Sequence, residues 1–322
     1  MRLAANPGYW DSARGPRLAE VVFRNDLDPR KALDLVCSTE GEVDIVTEIA
    51  PSDAARVEAS KHARLVSIDA VRSVVGIIDR ESPGLPLADK HARLALNHAV
   101  NRVGLVRDAL QGHGKPLAGL APPSTVSRPF RLSPYPHDPR RAHKLWRAAG
   151  GSSTRPIRLS APEGLAKAAE CLAADLRESL GVGVDLSVLR GAEATEARRA
   201  VAERQAPKPW DILLFEQTAQ AFDAVALELH RAFVGESGEF RAGPVVPEFE
   251  ELYARFARET NPSRQAHLAR RIDRLVRDEA LTLPLFAPDA LYAVNRHVRF
   301  QPYRTTFELA ETSVDAGHWS RR

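Results

Sequence analysis

Two polar stretches each follow a predicted strand and carry side chains that can bind a ligand. The first is 160–164 (SAPEG), after strand 155–160, and the second is 216–223 (EQTAQAFD), after the apolar strand 210–215. In open α/β sheets, ligands bind in crevices beyond the carboxyl ends of the strands. The candidate ligand-binding residues are therefore Ser160, Glu163, Phe215, Glu216, Gln217, Gln220 and Asp223. A plain polar surface loop at 216–223 stays open as the alternative.

Catalytic and metal chemistry has little support in the sequence. His91 and His98, two of the ten histidines, are seven residues apart, too far along one helix to chelate a metal as an i, i+4 pair does. No G-x-S-x-G or G-x-G-x-x-G motif indicates acyl transfer or nucleotide binding. Cys37 and Cys171 have no C-x-x-C partner, and their places on apolar helix faces favour buried thiols over a disulfide. We therefore expect no enzyme, no cofactor and no metal.

The composition is that of an ordinary folded chain. The chain is 44% hydrophobic and 27% charged. Its length of 322 residues is enough for two domains with a substantial core. The net charge is +3 and the basic residues are interspersed with acidic ones, so nucleic-acid binding is not indicated. No apolar run approaches the ~20 residues that cross a bilayer, and the residues after Met1 do not form an export signal.

The elements that position the two polar stretches alternate between strand and helix, which predicts an α/β fold. Strand 155–160, helix 165–180 and strand 182–189 favour a parallel crossover, with strand 210–215 central in the same sheet. The apolar run 71–78 predicts a strand buried on both faces.

Helix boundaries are well marked in several places. Asp28-Pro29, Asp138-Pro139 and Asn261-Pro262 each combine a capping side chain with proline at the first helical position. We also expect one continuous helix over 89–110, and two strands, 281–287 and 291–295, near the end of the chain.

One long stretch resembles a known family. Its motifs are D-x-x-x-R-x-A-L-N-x-A-x-x-R, then a proline pair, then Y-P-x-D-P-x-x-A-x-x-L-x-x-A-G. The sequence is similar here to the family 5 solute-binding proteins of oligopeptide, dipeptide and nickel ABC importers. The matching residues are Asp89, Arg93, Ala95, Leu96, Asn97, Ala99, Arg102, Pro122, Pro123, Tyr135, Pro136, Asp138, Pro139, Ala142, Leu145, Ala149 and Gly150.

The resemblance implies a bilobal fold of the type II periplasmic-binding-protein class, with one complete lobe and one partial lobe. We expect a partial first lobe at 1–88, a ligand-binding second lobe at 89–283 and a return crossing into the first lobe at 284–322. Relatives carry a longer N-terminal portion, so strands at 20–24 and 71–78 are expected to lack neighbours. Such an exposed edge would favour self-association.

The implied function is that of a noncatalytic importer component. It would bind a peptide or another polar small solute by hinge closure and deliver it to an ABC permease in the membrane. In the loop that usually reads G-W-x-x-D in the family, this chain has Glu216, Gln217 and Gln220. Neutral, amide-rich or hydroxyl-rich solutes are therefore expected to use Gln217 and Gln220. Ligands with a free α-amino group are expected to bind less well than in peptide-binding relatives, unless Glu216 takes the cation.

The location expected from the resemblance conflicts with the first residues of the sequence. The resemblance implies a periplasmic protein, whereas the sequence after Met1 predicts a cytoplasmic one if Met1 is the native start. The alternative function is accordingly a cytoplasmic ligand sensor, or a vestigial fragment of such a protein without a transport role.

Overall fold

The computed structural model describes residues 1–11, 13–122, 132–151, 155–218, 225–303 and 309–322. Within these ranges the chain forms two compact units. The smaller unit comprises Met1–Ala70 and Asp289–Arg322, and the larger unit comprises Val71–Pro288.

Strands and helices alternate along most of the described chain. The strands are β1 (Arg2–Ala4), β2 (Glu20–Val22), β3 (Ile45–Val46), β4 (Ala63–Asp69), β5 (Arg72–Ile78), β6 (Gly114–Pro116), β7 (Ile157–Pro162), β8 (Val184–Leu189), β9 (Ile212–Thr218), β10 (Leu283–Asn295), β11 (Val298–Arg299) and β12 (Ser313–Val314). The helices are α1 (Pro29–Ser38), α2 (Ala54–Glu58), α3 (Lys90–Ala99), α4 (Arg102–Leu110), α5 (Pro139–Ala148), α6 (Ala166–Leu180), α7 (Ala192–Ala202), α8 (Val225–Val234), α9 (Pro247–Arg258) and α10 (Pro262–Asp278).

The larger unit is built on a mixed sheet. Strand β9 lies between β5, to which it is antiparallel, and β7, to which it is parallel. Strand β8 pairs in parallel with β7, so the predicted parallel crossover through α6 and the central place of β9 are confirmed. On the other side of β5, the first part of β10 pairs with both β5 and β6.

Apolar side chains pack on both faces of this sheet. On one face, Val74 and Ile78 of β5 join a core that includes Trp146 of α5 and Leu172 of α6. On the other face, Val75 and Ile77 join a second core formed with α8, α9 and α10. Alternation along β5 therefore places apolar residues in two cores, which confirms the prediction that this strand is buried on both faces.

The proline-marked helix starts are confirmed. Asp28, Asp138 and Asn261 each accept hydrogen bonds from amides in the first turn of α1, α5 and α10. In each case proline occupies the first helical position, where no N–H is needed. Local chemistry alone fixes where these helices begin.

The helix expected over 89–110 is in fact two helices. Helix α3 ends at Ala99, and the Asn101 side chain accepts a hydrogen bond from the Gly104 amide at 2.9 Å, which caps the start of α4. An asparagine that satisfies a first-turn amide competes with continued helix, so the single-helix prediction was wrong at this point.

Three polar residues of the matched motif are buried and tie α3 and α4 to the segment that leads into β10. Arg93 donates to the Glu279 and Ala280 carbonyls, and on its other side to those of Leu87 and Ala88. Arg102 donates to the Pro284 carbonyl at 2.7 Å and to the Asn97 side-chain oxygen at 2.8 Å. These side chains donate to backbone carbonyls of other segments, so the motif residues help to hold the fold together.

The smaller unit has its own three-stranded antiparallel sheet, in which the second part of β10 lies between β3 and β4. A core of Leu33, Val36, Val57 and Leu291 packs beside it. Strands β1 and β2 pair with each other, as do β11 and β12.

Two expectations about strands are corrected. The two strands expected at 281–287 and 291–295 are one continuous strand, β10. Its first part pairs with β5 and β6, and its second part pairs with β3 and β4. The unpaired edge expected at 71–78 is wrong, since β5 has a neighbour on each side, and β2 is paired with β1. Strand β2, however, pairs only with β1 in a two-stranded sheet of the described residues, so self-association through an exposed edge stays a prediction.

The boundaries of the compact units differ from the predicted division at 88/89 and 283/284. The larger unit begins at Val71 because β5 pairs with β9, and it ends at Pro288, within β10. The assignment of 1–88, 89–283 and 284–322 to lobes stays a prediction.

Candidate functional site

The carboxyl ends of three parallel strands lie along one edge of the sheet in the larger unit. Strand β7 ends at Pro162, β8 at Leu189 and β9 at Thr218, and β7 runs parallel to both of the others. Strand β5 runs antiparallel to β9, so its first residue, Arg72, is opposite Thr218. Ligands of open α/β sheets bind at such an edge.

Arg72 and Glu216 form an ion pair at this edge. The Arg72 Nη1 donates to Glu216 Oε1 across 3.5 Å, and the two side chains are 29% and 38% exposed. Both residues lie on the face of the sheet that carries Val74 and Leu214, because side chains alternate along a strand.

A second pair lies at the ends of β7 and β8. The Arg190 Nε is 3.8 Å from Glu163 Oε1, and both side chains are largely exposed. The Arg190 amide donates to Glu193 Oε2 at 2.9 Å, at the start of α7. We define the strand-end site as Arg72, Glu163, Arg190, Glu216 and Gln217.

The predicted site residues are brought together only in part. Glu163, Glu216 and Gln217 lie at the strand ends, with the Gln217 Nε2 donating to the Thr218 carbonyl at 3.3 Å. Gln217 is on the opposite face of the sheet from Glu216. Gln220 and Asp223 lie outside the described residues.

Ser160 and Phe215 occupy the interior. Strand β7 continues through Ser160 to Pro162, so Ser160 is a buried strand residue and does not belong to the loop where it was expected. Phe215 packs against Phe233 and Phe240, and the Arg198 guanidinium lies 4.4 Å from its ring centroid. Both are buried because residues on both faces of β7 and β9 are covered at these positions. Their roles in ligand binding stay predictions.

Sequence reasoning missed Arg72 and Arg190. Arg72 precedes an apolar strand and is 144 residues from Glu216, so only the pairing of β5 with β9 brings the two charges together. The signal that was available is the lone charge at the start of an otherwise apolar run, SVVGII.

The amino ends of the same strands hold a different charged cluster. Asp211, directly before β9, is fully buried and accepts hydrogen bonds from Arg155 and Arg158 at 2.8 Å each, from the Arg158 amide at 2.7 Å and from Ser82. Burial raises the pKa of Asp211, but the hydrogen bonds from Arg155, Arg158 and Ser82 outweigh it and hold this pKa well below its usual range. Asp211 is therefore a charged carboxylate inside the protein, and its partners join β7, β9 and the turn after β5.

The described ranges include His, Cys, Asp and Glu side chains, which can bind metals, and both thiols of the chain. Within them, no three of the His, Cys, Asp and Glu side chains are grouped so as to hold a metal ion. Cys37 and Cys171 are free thiols, and burial raises the pKa of each. None of the described helices is long and apolar enough to cross a membrane.

Comparison with known families assigns the chain. Residues 1–227 match the model for the middle part of the bacterial extracellular solute-binding proteins, family 5. Because the match covers more than half of the chain, the chain belongs to this family.

Individual relatives agree with that assignment. The glutathione-binding protein GsiB of Escherichia coli O1:K1 is 29% identical over 143 residues, which are 44% of this chain and 27% of that protein. The chain thus spans about a quarter of the length of this curated relative.

Solved structures share the fold. The ABC transporter substrate-binding protein CtaP from Listeria monocytogenes superposes with a TM-score of 0.83 at 18% identity, over 97% of this chain and 63% of its own. The periplasmic binding protein DppA from Helicobacter pylori, solved in complex with the peptide STSA, gives 0.74 at 18% identity, over 97% and 60%. At these identities the likeness shows the fold, which is that of periplasmic-binding-protein-like structures.

Proposed function

We propose that this chain acts as a solute-binding component of an ABC importer, that its solute is a peptide or a similar polar small molecule, and that it binds without catalysis. Its partner would be the importer's permease, and its place outside the cytoplasmic membrane. The closing motion on binding is a part of this proposal that rests on the resemblance alone. The preference for neutral, amide-rich solutes applies only if Glu216 does not bind a cation of the ligand.

The observation that carries the proposal is the family match together with the polarity of the strand-end site. Four charged side chains, paired two by two, lie at the edge of the sheet where the three parallel strands end, which is where α/β folds bind ligands. Elsewhere on β5 and β9 the residues are largely apolar and buried. A polar solute is what such an edge accommodates, because its charges and amides can replace water at these side chains.

Calorimetric titration of the whole chain tests the proposal. We expect saturable binding of at least one solute from a panel of glutathione, dipeptides, tripeptides and their N-acetylated forms. The double substitution Glu163→Gln with Glu216→Gln should weaken that binding. A matched control is Arg107→Gln on α4, which removes an exposed ion pair that is not part of the strand-end site. Absence of binding across the whole panel would contradict the proposal.

A further inference from the structure

The Arg72–Glu216 pair has fewer and longer hydrogen bonds than an ordinary structural ion pair. One guanidinium nitrogen meets one carboxylate oxygen at 3.5 Å, the outer limit of a hydrogen bond. In the described part of the chain neither side chain has a second hydrogen-bonding partner. Each is also partly open to solvent. Within the described ranges, no other residue occupies the remaining donors of Arg72 or the second oxygen of Glu216, and a ligand can bind there.

A ligand with a single charge gains little from this pair. A cation that binds Glu216 competes with Arg72 and leaves the guanidinium without its counter-charge. An anion that binds Arg72 leaves Glu216 in the same position. A ligand that supplies both charges exchanges one ion pair for two, so neither protein charge is left unpaired.

The spacing of the pair restricts the ligand further. The interacting N and O atoms are 3.5 Å apart, so a ligand whose two charges are also close can meet both side chains without separating them. An ammonium and a carboxylate on the same carbon atom, as in an α-amino-acid head group, have this arrangement. The charges of an extended peptide lie at opposite ends, about 3.3 Å per residue apart.

We propose that Arg72 and Glu216 are the specificity-determining pair of the strand-end site, and that they select solutes carrying an α-amino-acid head group. The ligand ammonium binds Glu216 and the ligand carboxylate binds Arg72. This inference rests on the proposed function, because it requires a solute to enter the strand-end site.

Two isomeric tripeptides test the inference at equal composition and net charge. In γ-Glu-Ala-Gly the ammonium and a free carboxylate share one carbon, whereas in α-linked Glu-Ala-Gly that carboxylate is consumed in the peptide bond. Calorimetry on the wild type should give about tenfold tighter binding of the γ-linked isomer, the size of one additional charged hydrogen bond.

The variants should remove this preference in a recognisable way. In Arg72→Gln the ratio of the two affinities should fall to about one, and the α-linked isomer should bind at least as tightly as in wild type, because Glu216 is no longer held. In Glu216→Gln the γ-linked isomer should lose its advantage. Arg72→Lys should keep most of the preference, and Arg107→Gln all of it. A merely structural role of Arg72 would lower both affinities together.

Failure of the inference is distinguishable from failure of the proposed function. Equal affinities in wild type, or a preference that survives Arg72→Gln, would overturn the inference while the observed binding still supports a solute-binding role. No binding of either isomer at millimolar concentration would also overturn it, and the wider solute panel then decides the proposed function separately. Thermal unfolding midpoints of all variants close to that of wild type would exclude misfolding as the cause of a lost preference.

Discussion

Strand β9 has a carboxylate at each end, and the two are held in opposite ways. Asp211 at the amino end is fully buried and bonds to two arginines, a serine and a backbone amide. Glu216 near the carboxyl end is 38% exposed and meets one arginine at 3.5 Å. Both carboxylates pair with arginine. The two sites differ in how deeply the carboxylate is buried and in how many hydrogen bonds it accepts.

A charge whose hydrogen-bonding capacity is saturated by the protein is a structural charge. Every described partner of Asp211 belongs to the framework of the larger unit, so loss of the carboxylate would leave two guanidinium groups without their counter-charge. Loss of Glu216 would break one hydrogen bond of 3.5 Å at a carboxylate that is already 38% exposed, so water can take its place. We infer that the amino ends of the strands maintain the fold and that the carboxyl ends are free to respond to a ligand.

The largest expected effect is at Asp211. Asp211→Asn keeps the shape of the side chain but removes the charge that Arg155 and Arg158 share, and should destabilise the fold by about 3–5 kcal/mol. Urea unfolding followed by circular dichroism measures the change. Asp108→Asn, in the exposed pair with Arg107, is the control and should change the free energy of unfolding by less than about 1 kcal/mol. A loss at Asp211 no larger than at Asp108 would remove the distinction between the two ends of β9.

The contribution of the Asp211 carboxylate should also appear in the pH dependence of the free energy of unfolding. Hydrogen bonds from Arg155 and Arg158 keep the pKa of Asp211 in the folded state below its unfolded value, so its contribution is complete above pH ~4 and is lost as the pH falls. The difference in unfolding free energy between wild type and Asp211→Asn should therefore shrink below pH ~4, by at most about 1.4 kcal/mol per pH unit. Urea titrations at several pH values between ~2 and ~6 measure it. A difference that stays constant over this range would mean that Asp211 has an ordinary pKa.

Local sequence signals predicted the parts of the fold that depend on neighbouring residues. The pairs Asp28-Pro29, Asp138-Pro139 and Asn261-Pro262 gave correct helix starts because a cap and a proline act within one turn. The break at Asn101 is local too, and its signal was the capping side chain three residues before Gly104. It was overlooked because the apolar periodicity continues across it.

Pairings between distant parts of the chain could not be predicted in the same way. Whether 281–295 is one strand or two depends on which strands it meets, and those lie more than 150 residues earlier. The neighbours of β5 were also misjudged, because β9 and β10 supply them from the far end of the sequence. For the candidate site, Glu163, Glu216 and Gln217 follow from the rule that ligands bind at strand ends, whereas Arg72 reaches the same edge only through antiparallel pairing.

The most direct test of the difference between the two ends is a double-mutant cycle on the Arg72–Glu216 pair, measured as unfolding free energy without ligand. We expect Arg72→Gln, Glu216→Gln and the double variant to change stability little, with a coupling energy below about 1 kcal/mol, as for other partly exposed ion pairs. A coupling energy of about 3 kcal/mol or more, the size expected at Asp211, would show that the carboxyl end is as structural as the amino end and would contradict the account.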